Sequence, residues 1–293
     1  MPRHLQPGQR AQLFVCRVDT GETTLVYQSD ELLFEAPNWI PGTDDLLING
    51  GGNLYRMSAD ATSGPAPIDL GGVPEINNDH VVAPDGSTVY VSAEDGHLYA
   101  VPIQGGSHRR VSNDRGPSFR YYLHGISPDG SQLAYIGLAI GPDGSVTTNL
   151  FTIPAAGGAD MQLTNDNHPD DGAEFSPDGE WIYFNSERGS ATPGHAQLFR
   201  MRLDGEDVTQ LTFDERVNWF PHLSPDGQHL AYVSFPAGTR GHPENVEVIV
   251  RVADRDGGAV RDVAQVFGGQ GTINVPSWSP DGARLAYVAY PFA

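Results

Sequence analysis

The sequence predicts an all-β fold, a six-bladed β-propeller with four-stranded blades. Three observations predict it: a Ser-Pro-Asp-Gly tetrapeptide that recurs along the chain, four β-prone runs between successive copies, and complementary partial units at the two ends. The 293 residues include 35 glycines and 23 prolines, which favours many short strands joined by tight turns over a helical bundle. We therefore expect a single propeller domain over residues 1–293, with residues 1–11 as an N-terminal extension.

The tetrapeptide copies divide the chain into six units. Four copies are complete and begin at Ser127, Ser176, Ser224 and Ser279, and two weaker copies begin at Ile40 and Ala83. The prolines of successive copies are 43 to 55 residues apart, a spacing typical of propeller blades. Proline suits the second position of a type I turn, and glycine accepts the left-handed conformation that follows it. The tetrapeptide therefore predicts a hairpin turn between the first two strands of each unit.

The fourth unit shows the internal order of strands most clearly. Residues 173–175 precede the turn as strand A, residues 181–184 follow it as strand B, and residues 198–202 and 208–212 read as strands C and D. The last unit stops after residues 285–289 with only strands A and B. The missing C and D strands are supplied by residues 12–18 and 22–27 near the chain start. We expect N-terminal strands C and D to pair with C-terminal strands A and B, which closes the ring and removes its exposed edges.

These repeats resemble a known family. The tetrapeptide is followed by Leu-Ala-Tyr at residues 133–135, 230–232 and 285–287, as in the TolB-like propeller repeat, also called the WD40-like or PD40 repeat. The resemblance spans about residues 12 to 290. It implies the propeller fold and a role as a ligand- or protein-binding module. The repeat also resembles the propeller of oligogalacturonate lyase, which implies a metal and histidines on the channel face as an alternative.

The charge composition narrows the choice of partners. Asp and Glu number 37 against 17 Lys plus Arg, the formal net charge is −20, and every basic residue is an arginine. The absence of lysine excludes a Schiff-base lysine and a phosphate-loop lysine, and the negative field disfavours nucleic acid. No apolar run is long enough to insert into a membrane, and the first residues lack a secretory signal, so we expect a cytoplasmic protein.

Unusual polar residues gather where strand D of one unit leads into strand A of the next, and in one loop between strands B and C. Strand A lies nearest the propeller axis, so these segments should converge on one mouth of the central channel. The predicted ligand-binding residues are His80, His124, Asp171, Glu174, Asn218, His222, His242, Gln270 and Asn274.

Three of these histidines could bind a metal. His80 and His124 lie four residues before the proline of their turn, and His222 lies three residues before its own. Neutral imidazoles from neighbouring blades could hold Zn or Mn. No local motif such as His-Glu-x-x-His supports a metal, so the sequence does not establish a cofactor. The other interpretation of these three histidines is that they make structural hydrogen bonds.

The sequence leaves two functions open. One is a binding module whose channel mouth takes a small neutral ligand such as a sugar, or a protein segment. The other is a carbohydrate-active enzyme, a lyase or glycosidase that could depend on a metal, with Asp171 and Glu174 as candidate base and acid. Aromatic residues beside the histidines would stack on sugar rings or pack in the core: Phe119, Tyr121, Tyr122, Trp219 and Phe220. Whether the protein is an enzyme stays open at this point.

Overall fold

A computed structural model describes residues 3–292, and this part of the chain contains 23 β-strands and no helix. The strands form six antiparallel sheets, which are the six blades. Blade 1 contains β3 (Glu35–Trp39), β4 (Asp45–Gly50), β5 (Asn53–Ser58) and β6 (Ala66–Pro67). Blade 2 contains β7 (Ile76–Val82), β8 (Thr88–Ala93), β9 (Leu98–Pro102) and β10 (Arg109–Arg110). Blade 3 contains β11 (Phe119–Ile126), β12 (Gln132–Ile140), β13 (Val146–Pro154) and β14 (Met161–Gln162).

The remaining blades complete the ring. Blade 4 contains β15 (Asp170–Phe175), β16 (Trp181–Ser186), β17 (Gln197–Arg202) and β18 (Thr209–Gln210). Blade 5 contains β19 (Val217–Leu223), β20 (His229–Phe235), β21 (Glu244–Asp254) and β22 (Arg261–Gly269). Blade 6 contains β23 (Arg284–Ala289), β1 (Ala11–Arg17) and β2 (Thr23–Ser29). The prediction of an all-β, six-bladed propeller is confirmed.

Blade 6 closes the ring as the sequence predicted. Strand β1 pairs with β23 and with β2, so the N-terminal strands supply positions C and D of this blade. Phe14 lies opposite Tyr287 in this pairing, and their rings stack with centroids 5.4 Å apart. Strand A of this blade is reduced to a single bridge between Trp278 and Leu285.

The Ser-Pro-Asp-Gly turns are structural, as expected. In the third blade the Ser127 hydroxyl donates to Asp129 at 2.6 Å and accepts from the backbone N–H of Gln132 at 2.9 Å. Gly130 has a φ of 72°, the left-handed region that favours glycine. The same serine-to-aspartate bond recurs in the turns that begin at Ser176, Ser224 and Ser279.

Six hydrophobic clusters hold the ring together, one at each interface between neighbouring blades. Between blades 3 and 4, for example, Ile136 packs with Phe175 and Phe184. The free thiol of Cys16 is buried between blades 5 and 6. The A strands of adjacent blades contact one another, so they form the inner wall of the channel.

One local expectation needs correction. The polar segments were expected in loops between strand D and the next strand A, but most of them belong to the inner strands β7, β11, β15 and β19 themselves. Within residues 3–292, no helix is long and apolar enough to span a membrane.

Candidate functional site

Irregular inner strands shape one end of the channel. Each of the strands β3, β7, β11, β15 and β19 carries a bulge, so that more residues stand on it than on its partner strand. In three of them the bulge includes a left-handed residue, and these are Ala36 with φ 51°, Gly172 with φ 65° and Phe220 with φ 56°. Such a conformation costs a non-glycine residue about 1 kcal/mol, and bulges of this kind re-aim neighbouring side chains. The bulges thus decide which side chains of the inner strands border the channel.

Four of these bulged strands, β7, β11, β15 and β19, border a cavity of about 500 Å³, here called the loop-side pocket. The loop between β20 and β21 adds Gly241 and His242 to its wall. Its polar lining consists of Asn77, Asn78, Asp79, His124, Asp171, His242, Gln270 and Asn274, among others. This size and this number of converging polar groups are typical of small-molecule sites.

Asp171 joins two histidines at the centre of the pocket. Its Oδ1 lies 2.7 Å from Nε2 of His124, and its Oδ2 lies 3.5 Å from Nε2 of His242. Burial acts to raise the pKa of Asp171, but the two histidines outweigh it and hold this pKa well below its usual value. Burial likewise opposes protonation of both histidines, yet the attraction of Asp171 raises the pKa of each. The group therefore favours an ionised carboxylate between two protonated imidazoles.

A second carboxyl group behaves in the opposite way. Burial, with a smaller contribution from the negative charge of Asp171, raises the pKa of Asp79 to about 6, although His124 and His242 act to lower it. Asn77 holds Asp79 in place by donating from Nδ2 to its Oδ2 at 2.9 Å. Asp171 is thus ionised at all ordinary pH values, whereas Asp79 titrates near neutrality.

Aromatic rings line the same cavity. His242 meets Trp219 and Phe220 edge-on, with ring centroids 4.6 and 5.2 Å apart, and His124 stacks on Phe220 at 5.8 Å. Tyr122 contributes a further ring to the lining. Aromatic faces beside hydrogen-bonding groups suit ligands with both apolar and polar surfaces, such as sugar rings.

The opposite mouth is chemically different. A cavity of about 350 Å³, here called the turn-side pocket, is lined by the turn prolines Pro41, Pro84, Pro225 and Pro280 together with apolar side chains. Among the predicted site residues, only Glu174 lines this pocket.

Of the nine predicted binding residues, the structure brings five together in the loop-side pocket and places four elsewhere. The five are His124, Asp171, His242, Gln270 and Asn274. The other four are His80, Glu174, Asn218 and His222, all buried. Asn218 is held between blades 4 and 5: its Oδ1 accepts from the Ser234 hydroxyl of blade 5 at 2.8 Å, and its Nδ2 lies 3.3 Å from Gln197 Oε1 of blade 4.

Glu174 and His222 form a link between blades deeper in the channel wall. His222 Nδ1 lies 2.6 Å from Glu174 Oε2, and the backbone N–H of Leu223 donates to Glu174 Oε1 at 3.0 Å. His222 Nε2 donates to the carbonyl of Ile273 in blade 6 at 2.8 Å. Both ring nitrogens of His222 therefore face oxygen atoms of the protein, and neither is left for a metal. This geometry also separates Asp171 from Glu174, the candidate base and acid. Asp171 lines the loop-side pocket and Glu174 lines the turn-side pocket, so they do not form a catalytic pair.

The three predicted metal ligands do not form a metal centre. No group of three or more His, Cys, Asp or Glu side chains within residues 3–292 is arranged to hold a metal ion. His80 is fully buried, and its two ring nitrogens make no hydrogen bond with this part of the chain. Burial lowers the pKa of His80 to about 4, so it is a neutral core residue. The residues present thus do not fit the Zn or Mn site that the sequence allowed.

Sequence reasoning missed several residues of the pocket. Asp79 was passed over in favour of its neighbour His80, because counting back from the turn proline assumes a regular strand. The bulge in β7 adds two residues between the pairs Ile76–Ala93 and His80–Val91, whereas the bulge in β11 lies at His124 itself, so equal distances from the turn proline do not give equivalent positions in the two blades. The run Asn77-Asn78-Asp79 itself was the available signal, since three consecutive polar residues are unusual in an inner strand.

Comparisons with known proteins agree with the fold. A family model described as the TolB beta propeller domain, PD40, matches residues 118–243. An uncharacterised protein of Agrobacterium fabrum is 39% identical over 290 residues, which cover 97% of this chain and 94% of that protein. The chain belongs to the TolB-like β-propeller family. A solved family structure, described as a candidate TolB from Agrobacterium tumefaciens, superposes with a TM-score of 0.87 and 37% identity and covers 97% of this chain and 99% of its own.

A more distant structure shares the fold alone. It is described as oligogalacturonate lyase in complex with manganese, with a TM-score of 0.60 and 14% identity, and the match covers 96% of this chain and 78% of the lyase. The manganese belongs to that protein and says nothing of the residues of this chain.

Proposed function

We propose that the protein binds a small polyhydroxylated ligand such as a mono- or disaccharide, and that the part of the ligand inside the loop-side pocket is uncharged. The observation that carries the proposal is the combination of an aromatic wall at Trp219 and Phe220 with eight converging polar side chains in one cavity. Sugars present an apolar ring face and a rim of hydroxyl groups, and such a pocket complements both.

The charges inside the loop-side pocket favour an uncharged ligand group at that position. His124 and His242 carry raised pKa values and are matched by the two carboxyl groups of Asp171 and Asp79. Asp170, a further carboxyl group in the lining, is paired with Arg188, and Glu187 accepts a hydrogen bond from the backbone N–H of Gly194. Because the charges of the two histidines and of Asp171 and Asp79 face each other, the centre of the site does not need a ligand charge for balance. The volume of about 500 Å³ also suits a small molecule better than a folded protein segment.

The proposal is tested by calorimetric titration of the protein with a panel of mono- and disaccharides. His242→Ala should weaken binding at least tenfold, because His242 contacts both aromatic rings and the Asp171 carboxylate. His108→Ala is the matched control, since His108 is exposed and lies outside the pocket. Equal affinities of the wild type and His242→Ala for every sugar that binds would overturn the assignment of the site.

An enzymatic role is the second candidate, and the opposite behaviour of the two aspartates favours it. Burial raises the pKa of Asp79 to about 6, whereas His124 and His242 hold the pKa of Asp171 low despite its burial. A pair of carboxyl groups with separated pKa values can divide the roles of acid and base in cleaving a glycosidic bond. No step through a metal is included, because the residues do not fit one.

The enzymatic candidate is tested by incubating the protein with neutral oligosaccharides and measuring new reducing ends. Asp79→Asn should lower the rate by about 100-fold, because the amide cannot transfer a proton. The wild-type rate should also change near pH 6, where Asp79 titrates. If oligosaccharides bind but are not cleaved, the protein is a binding module and the proposal of an enzymatic role is wrong.

A further inference from the structure

A second cavity adjoins the loop-side pocket and has a different chemistry. It measures about 230 Å³ and is called here the Arg3 pocket. Asn77, Asn78 and Gln270 line both cavities, so they form a shared wall between them. The charged and amide residues that belong to the Arg3 pocket alone are Arg3, Glu35, Asn49, Glu94 and Glu244.

The Arg3 pocket has an excess of negative charge. Three carboxylates line it, against the single guanidinium of Arg3. Arg3 Nη1 lies 2.9 Å from Glu35 Oε1, and Arg3 Nε pairs with Glu244. Burial still raises the pKa of Glu35 above its ordinary value, even though Arg3 acts to lower it. One arginine is therefore not enough to stabilise the charge of Glu35, and a further cation would be favourable.

The lining of the Arg3 pocket also contains a buried hydrogen-bond acceptor, the side-chain oxygen of Asn49. Asn49 lies opposite Glu35 in the pairing of β3 with β4 and is 3% exposed. Its Oδ1 accepts no hydrogen bond from residues 3–292. A buried amide oxygen without a donor is costly, so this atom favours a ligand group that donates.

These two observations select one ligand chemistry. An anion would face three carboxylates, and a hydroxyl group would leave their charge uncompensated. A primary ammonium group has three N–H donors, one positive charge and no acceptor, which matches carboxylate and amide oxygens.

We propose that the Arg3 pocket is an ammonium-binding subsite, so that the ligand of the loop-side pocket carries a primary amine next to its sugar-like part. This inference rests on the proposed function, because the shared wall makes the two cavities parts of one site. The ligand class is then an amino sugar or another polar molecule that carries a primary amine.

The test compares two disaccharides that differ mainly in charge. Cellobiose is neutral, and the β-1,4-linked disaccharide of glucosamine replaces one hydroxyl of each ring by an amine. Calorimetric titration is performed at a pH below the pKa of the ligand's amines. The wild type should bind the glucosamine disaccharide about tenfold more tightly than cellobiose.

The charge preference should depend on the Arg3 pocket. Glu35→Gln should bring the ratio of the two affinities close to one, and the exposed rim variant Glu94→Gln should lower it about two- to threefold. Glu94→Gln keeps the test usable if Glu35→Gln does not fold. Glu31→Gln is the matched control because Glu31 is exposed and lines neither cavity, and it should keep the wild-type ratio.

Each outcome separates this inference from the function on which it rests. Equal wild-type affinities for the two disaccharides would overturn the ammonium subsite and leave sugar binding intact. Binding of neither disaccharide would overturn both. Spermidine is the third arm: if it binds more tightly than the glucosamine disaccharide and Glu94→Gln weakens it, the subsite is supported and the source of the amine is a polyamine.

Discussion

The two mouths of the channel are built from the same strands, but one repeats the same structure in each blade and the other does not. At the turn-side mouth the Ser-Pro-Asp-Gly turns repeat nearly unchanged, and each turn glycine from the third blade onward approaches the turn proline of an earlier blade. At the loop-side mouth the five inner strands are bulged, and no two blades present the same residues. The turn-side end, where the structure repeats, thus maintains the ring. The loop-side end, where the blades differ, contains the candidate site.

The energetic roles differ accordingly. The turn-side half links blades through bonds such as that between Glu174 and His222, and no ligand is needed to complete them. The loop-side half places titratable groups and a left-handed Phe220 around a cavity. Local strain and buried charges are common at functional sites, where the rest of the fold compensates for them. Mutations at the two ends should therefore affect different properties, namely stability at one end and ligand affinity at the other.

The largest stability effect is expected for Glu174→Ala. The change leaves the His222 imidazole and the backbone N–H of Leu223 without their buried acceptor between blades 4 and 5. The free energy of unfolding should fall by about 3 to 5 kcal/mol, measured by urea denaturation. Glu31→Ala, at an exposed position, should change it by less than about 0.5 kcal/mol.

The same variant also tests the separation of the two ends. Glu174 does not line the loop-side pocket, so sugar affinity should stay within about twofold of the wild type at a temperature where the variant is folded. Loss of sugar binding with unchanged stability would reverse the roles of the two mouths.

The next effect concerns His80 and the dependence of stability on pH. The pKa of His80 in the folded protein is lowered from 6.5 to about 4, so this residue favours the folded state above pH 6.5, and that contribution is lost as pH falls towards 4. The lowering corresponds to about 3 kcal/mol. His80→Leu has no such proton site, so its stability relative to the wild type should increase by about 3 kcal/mol from pH 7 to pH 4.

Urea denaturation of both proteins at each pH measures this difference, and the other titrating groups cancel in the comparison. Parallel pH profiles would mean that His80 can be protonated in the folded state. That result would contradict its description as a neutral core residue.

The smallest effect is expected in the repeated turn itself. Gly179 has a φ of 70°, and an added Cβ would meet only Pro128, at 3.8 Å. Gly179→Ala should therefore cost about 1 kcal/mol through backbone strain alone, measured as a lower urea midpoint. Gly64→Ala is the control, because Gly64 has an ordinary φ and open space around its Cα, and it should show no loss. A larger loss of sugar affinity than of stability in Gly179→Ala would show that the turn side takes part in binding.

The sequence was sufficient to predict the fold, but it predicted only part of the candidate site. The turn tetrapeptide and the half-units at the ends depend on local backbone preferences, which a sequence displays directly. Which residue of an inner strand borders the channel depends on the bulges, and these arise from packing between blades. The bulge in β7 therefore hid Asp79. Asp171 stands at the loop-side end of β15, whereas His124 reaches the same pocket from the bulge of β11.

Asn218, Glu174 and His222 illustrate the same limit. Each is a polar residue in an inner strand, and polarity alone does not tell a residue that meets a ligand from one that bonds to a neighbouring blade. Only the positions of Gln197, Ile273 and the other partners distinguish the two cases.

A crystal structure of the protein soaked with the glucosamine disaccharide tests the central claim most directly. The account predicts sugar density in the loop-side pocket, stacked against the rings of Trp219 or Phe220 and within hydrogen-bond distance of His242. Sugar density confined to the proline-lined turn-side pocket would contradict it.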